Sequence, residues 1–251
     1  MNPDLYNPQP ITDLESLKKK MNELAIKYGS LFRGYQKDCQ LAPLLIREKK
    51  YEGKENKLLQ EFEKYCKVYC NISSPLDFLS VGQHYGLPTR LLDCTHSPYI
   101  ALFFALGNKE VDSCYVRCFE KEILNDETDE WNEFAKIENE TLDFSSPFVF
   151  SRFCCSHFPS SPTSDFSFIN PRYSNPRMMA QQGAFVIAYT NDPDKKDDWI
   201  KFLKSKTEEI VIDVKSIGRA AILEYLSSMN MDGYHLMPDI YGLCDTIKAT
   251  I

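Results

Sequence analysis

The sequence predicts an α+β fold, with a mixed central sheet and peripheral helices. Three observations lead there. Short β-rich runs occur at 31–35, 90–93, 114–119, 184–189 and 209–214. Segments of helical period stand between and around them. The two kinds do not alternate as regular βαβ units, which argues against a doubly wound sheet. The chain of 251 residues is 43% apolar and 26% charged, an ordinary globular composition long enough for a sizeable core.

Taken in order, residues 1–11 are polar and proline-rich and read as an extended arm. Thr12 and Glu15 form a T-x-x-E capping box ahead of an apolar stripe of Leu14, Leu17, Met21, Leu24 and Ile26, with Gly29 as the stop. Residues 1–29 are therefore set apart as an arm and helix, and 30–251 as the main domain. Leu31–Tyr35 is a short strand. A helix over 54–69 presents Leu58, Leu59, Phe62, Tyr65, Cys66 and Tyr69 on one side. Ser74-Pro75 opens a third helix that stops near Gly86. Arg90–Asp93 is a strand entered by a proline turn, and Ser97-Pro98 starts a buried helix to Leu106. Cys114–Phe119 alternates as a strand. The acidic stretch 120–145 holds a helix around Trp131, and 145–175, rich in Ser, Pro and aromatics, reads as a long loop. Strands at Ala184–Tyr189 and Glu209–Val214, then helices at 215–229 and 240–249, complete the chain.

The balance of 29 basic and 36 acidic residues, net −7, argues against a broad nucleic-acid surface, which needs clustered Lys and Arg. A local basic pocket for a phosphorylated small molecule stays open. The strongest apolar run, Tyr99–Leu106, falls far short of the roughly 20 residues that span a bilayer. With no apolar N-terminal run either, a cytoplasmic location with reduced cysteines is expected. The nine cysteines lack the C-x2-4-C pairs with further ligands nearby that a zinc site needs, so buried thiols are expected and no metal. G-x-G-x-x-G, Walker A and G-x-S-x-G motifs are absent.

Chemistry-bearing residues concentrate in two places. Arg33, between Phe32 and Gly34, offers a planar fork suited to phosphate or carboxylate, and Gly34 would let a ligand approach the backbone. The segment 83–95 sets Gln83, His84, Thr89, Arg90, Asp93 and Thr95 beside strongly apolar residues. Such polar groups must find partners or face a cavity. Arg90 and Asp93 could pair with each other, and Thr95 could contact a ligand or only order the turn before Ser97. His84 changes charge near neutral pH and could serve as a base.

Three blocks carry a family resemblance: Phe32-Arg33-Gly34, the run Gln83-His84-Tyr85-Gly86-Leu87-Pro88-Thr89-Arg90-Leu91-Leu92-Asp93-Cys94-Thr95-His96-Ser97-Pro98, and Ala101-Leu102-Phe103-Phe104-Ala105. Together they closely resemble the FRG domain family, which commonly has Trp where this chain has Cys94. Asn175-Pro176-Arg177, Gln181-Gln182-Gly183-Ala184-Phe185 and Met237-Pro238-Asp239-Ile240-Tyr241-Gly242-Leu243 are also similar to the family, so the resemblance extends over most of 30–250.

A more distant resemblance is to ADP-ribosyltransferases and their split-sheet core. Those enzymes order an early arginine, a Ser/Thr strand running into an A-x-x-F-A helix, and a late Glu or Gln. Here that order is met by Arg33, by Thr95 with Ala101–Ala105, and by Gln181 or Gln182. The resemblance implies NAD as the bound substrate, ADP-ribosyl transfer with a protein as acceptor or NAD cleavage, and a toxin or defence role. In that reading Arg33, Gly34, Gln83, Arg90 and Thr95 bind the nucleotide, and His84, Asp93, Gln181 and Gln182 do the chemistry. The transferases' usual Glu is replaced by Gln, and an amide cannot act as a carboxylate base, which makes Asp93 the nearest acid. A non-catalytic nucleotide- or protein-binding domain is the alternative, and a purely structural motif the third reading.

Overall fold

The computed structural model describes residues 8–27, 29–70, 72, 74–107, 110–120, 166–169, 175–188 and 192–249. The elements are α1 (Leu14–Ala25), β1 (Leu31–Tyr35), α2 (Leu44–Arg47), α3 (Glu55–Tyr69), α4 (Pro75–His84), β2 (Leu91–Thr95), α5 (Pro98–Leu106), β3 (Ser113–Phe119), β4 (Phe166–Ile169), α6 (Pro176–Ala180), β5 (Gly183–Ala188), α7 (Lys196–Lys206), β6 (Glu208–Asp213), α8 (Val214–Ile217), α9 (Arg219–Ser227), α10 (Gly233–Leu236) and α11 (Ile240–Ala249).

The six strands form one sheet in the order β4-β5-β2-β1-β3-β6. The α+β expectation holds. The expected mixed sheet does not, because every strand pairing among the described residues is antiparallel. A lone parallel bridge joins Ile11 to Ile212 at one edge. The pairings are uneven. β1 and β3 register over five residue pairs and β2 and β5 over five, whereas β1 and β2 share one pair, Phe32 with Thr95. The sheet is thus two three-stranded halves joined by a short seam.

One sheet face packs Leu31, Tyr35, Leu92 and Cys94 against Ile46 of α2 and Trp199 and Leu203 of α7. The other face carries two helical layers. Over β1, β3 and β6 lie α5, α1 and α9, with Leu17, Met21, Leu102 and Leu226 buried. Over β2 and β5 lie α3 and α4, with Leu59, Phe78 and Leu79 buried. α1 therefore belongs to the same core as the sheet.

Several local expectations are corrected. The cap of α1 is Asp13, whose carboxylate accepts from the Ser16 amide at 2.8 Å, rather than Thr12. Ile26 lies beyond the helix and is exposed. Tyr65 and Tyr69 of α3 also face outward, because the buried face is turned to bring Glu55 and Glu63 inside. The single helix expected over 215–229 is broken into α8 and α9 at Gly218, whose φ of 91° ends the first. β4 lies within the stretch read as loop. The expected helix near Trp131 and most of 145–175 lie outside the described residues.

Gly34 is explained by packing. A Cβ there would come 1.7 Å from the Ala101 carbonyl oxygen of α5. Only a residue without a side chain allows helix and strand to approach so closely. The side of Gly34 that a Cβ would occupy is taken by α5, and the residue also lines the cavity described below.

Candidate functional site

Where β1 and β2 part, a cavity of about 330 Å³ opens between α5 and α4. Phe32, Phe104 and Phe185 supply its apolar walls. Arg33, Gln83, His84, Asp93, Thr95, Arg177 and Gln181 supply polar groups. Apolar walls with a few converging polar groups, at the lower end of the roughly 300–1,000 Å³ of ligand pockets, describe a small-molecule site.

Each polar residue is placed by local sequence. α4 starts at Ser74, whose hydroxyl accepts from the Asp77 amide at 3.1 Å, and stops in a Schellman turn at Gly86. In that turn the Gly86 amide donates to the Gln83 carbonyl and the Leu87 amide to the Gly82 carbonyl, both at 2.9 Å. The stop leaves Gln83 and His84 on the last helical turn, facing the seam. Gln83 is held at both ends. Its amide nitrogen donates to the Asp93 carboxylate at 2.7 Å, and its oxygen accepts from the Thr89 hydroxyl.

Arg33 shares a sheet face with Leu31 and Tyr35. It lines the cavity where the β1–β2 ladder is missing. Its Nη1 donates to the Asp93 carbonyl at 2.5 Å. Its Nε and Nη2 donate to the Gln40 carbonyl at 2.9 and 2.7 Å. A guanidinium has five N–H donors, so one remains on each terminal nitrogen. Burial pushes its pKa down, and the Asp93 charge opposes that shift.

Thr95 ends β2. Its hydroxyl donates to the Gln181 carbonyl at 2.7 Å and accepts from the Ser97 amide at 3.1 Å. It orders the entry to α5 and ties that entry to the turn between α6 and β5. Gln181 lines the cavity, while its side-chain nitrogen donates to the Leu236 carbonyl at 2.9 Å. Gln182 takes a left-handed φ of 46°, and its carbonyl accepts from the His96 amide at 3.0 Å. It is a turn residue and is not among those that line the cavity.

Arg90 is also elsewhere. It is 5% exposed and binds Glu55 of α3 in a two-point pair, Nε to Oε1 at 2.6 Å and Nη2 to Oε2 at 2.5 Å. Neither the nucleotide-binding role expected for Arg90 nor the alternative pairing with Asp93 matches this placement, because a carboxylate from α3 holds its guanidinium away from the cavity.

His84 is half-buried on the rim. Burial and then the Arg177 charge push its pKa below the ordinary 6.5, against Asp239 and Asp93. That shift favours the neutral imidazole over the charged one. Cys94 also lines the cavity, and burial pushes its thiol up to about 12. It is a neutral apolar wall rather than a nucleophile.

Sequence reasoning did not single out Ser80, Phe104, Arg177, Met178 or Phe185 as site residues. The Asn175-Pro176-Arg177 motif held the signal for one of them. Asn175 caps α6 by accepting from the Met178 amide at 2.8 Å, which fixes Arg177 in the first turn. Away from the cavity, Cys118, Glu120 and Glu208 come together as possible metal ligands. Lys27 already binds both carboxylates there, at 2.5 and 2.9 Å.

No helix among the described residues is long and apolar enough to cross a membrane. No curated protein and no solved structure matches the chain. A family model described as FRG domain matches residues 29–114. The match takes in β1, α4, β2 and α5, and with them Arg33, Gln83, His84, Asp93 and Thr95, while Arg177 and Gln181 lie beyond it. Through the segment that builds most of the cavity, about a third of its length, the chain is similar to the FRG domain family.

Proposed function

We propose that the cavity is an NAD-binding, ADP-ribosyltransferase-like site. The observation that carries this reading is the convergence of Arg33, His84, Asp93, Thr95 and Gln181 on one cavity at the opening in the sheet. Phe104 and Phe185 offer faces for a planar ring, and Arg33 keeps two donors for an oxyanion. Among the described lining residues Asp93 is the one carboxylate. It is suited to stabilise positive charge as the ribose–nicotinamide bond breaks and nicotinamide leaves with the bonding pair. In hydrolysis, water would then bond to the ribose carbon and give its proton to the neutral His84.

A second reading, binding without turnover, is favoured by one specific observation. Gln181 stands where the transferases use Glu, and its amide is already bonded to Leu236. Incubation of the purified chain with NAD separates the two. Transfer or cleavage requires nicotinamide release, with Asp93→Asn slowing it about 100-fold or more while NAD affinity is kept. NAD that binds and returns unchanged supports the second reading, and no NAD binding at millimolar concentration overturns both.

A further inference from the structure

A second cavity, of about 160 Å³, lies beside the first, and Arg33, Gln83 and Asp93 line both. Its distinctive residue is Arg47, the last residue of α2. Other arginines among the described residues have partners: Arg90 has Glu55, Arg117 has Glu209, Arg177 has Asp239, and Arg219 has the Leu106 carbonyl. Arg47 is half-buried, and among the described residues its guanidinium meets no carboxylate and no carbonyl. Partial burial of an unpaired guanidinium is unfavourable. It is also unfavourable for its neighbour, since the Arg47 charge helps to push the Arg33 pKa down. Asp93, the carboxylate among the residues that line this cavity, accepts a hydrogen bond from Gln83 on the shared wall.

We infer that this second cavity is a phosphate subsite, in which Arg47 and the free donors of Arg33 hold a phosphoryl group of the ligand seated in the first cavity. Two guanidinium forks suit a tetrahedral dianion, since each can reach two of its oxygens. A phosphate there relieves the repulsion between the two cations, and the shared wall gives the ligand a continuous path. What the phosphate is attached to rests on the nucleotide reading above; the anion site itself does not.

The test is calorimetric titration of the whole chain at constant ionic strength with inorganic pyrophosphate, NAD and phosphate-free nicotinamide riboside. Pyrophosphate and NAD are expected to bind, and Arg47→Gln to weaken both by about tenfold or more. Arg47→Lys, which keeps the charge but loses the fork, should weaken them less. Riboside affinity should be the same in all three proteins. Unchanged pyrophosphate and NAD affinity in Arg47→Gln overturns the subsite, as does an equal loss of riboside binding. Riboside binding without pyrophosphate binding overturns the subsite and leaves the nucleotide reading standing. Arg47-dependent pyrophosphate binding without NAD or riboside binding supports the subsite and removes the nucleotide reading.

Discussion

Arg33 and Arg117 sit directly opposite each other on β1 and β3, yet the chain treats them in opposite ways. Arg117, 2% exposed, pairs with Glu209 on β6, while its guanidinium also donates to the Tyr35 hydroxyl at 3.0 Å and to Thr207 Oγ1 at 2.9 Å. The β1–β3 seam beside it is a full ladder. Arg33 faces the other seam, where one registered pair holds β1 to β2, and it meets only backbone carbonyls. The Asp93 carbonyl that a longer ladder would have bonded to β1 is bonded to the Arg33 guanidinium instead. Like charges on opposed strand positions repel, and only one of these two is neutralised by a carboxylate. A closed seam turns its arginine into structure. An open seam leaves its arginine with charge and donors facing a cavity.

The largest expected effect breaks the closed side. Glu209→Ala leaves Arg117 buried without its carboxylate and should cost about 3–5 kcal/mol in urea unfolding. The folded fraction should still bind ligand normally, because Glu209 does not line either cavity. Next comes Arg33→Lys. An ammonium cannot reach the Asp93 and Gln40 carbonyls as the guanidinium does, so unfolding should be easier by about 1–3 kcal/mol. Here ligand affinity should fall as well. A stability loss with unchanged pyrophosphate affinity would make Arg33 a second Arg117.

The smallest effect is pH dependence at His84. Its folded pKa is below its ordinary 6.5, so the unfolded chain takes up the proton first. Its contribution to stability is present above about 6.5 and is lost as pH falls through the lowered folded value. Stability of His84→Gln should decline less over that window than that of the parent, and a parallel decline would remove His84 from the account.

Local signals were legible where short-range chemistry decides. Ser74-Pro75, Ser97-Pro98 and Gly86 marked helix ends correctly, and the alternating runs marked β1, β3, β5 and β6 to within about one residue. The site was legible in part. Arg33, Gln83, His84, Asp93, Thr95 and Gln181 do meet. Arg90 and Gln182 were misplaced because each is claimed by something far along the chain, Glu55 for one and the His96 amide for the other. The Glu55–Arg90 pair also explains why the apolar stripe of α3 was turned wrongly. A carboxylate that finds a buried partner goes inside, and periodicity assigns it to water.

The sequence by itself determined the α+β class, the short elements and their caps, and the concentration of polar residues in 83–95. These depend on hydrogen bonds and side-chain spacing within a few residues. Only the tertiary structure decided which polar residues are partnered and which are left facing a cavity. That choice depends on where two strands stop pairing and on which distant carboxylate or carbonyl arrives. Arg33, Arg47, Arg90 and Arg117 are the same residue type and differ in that alone.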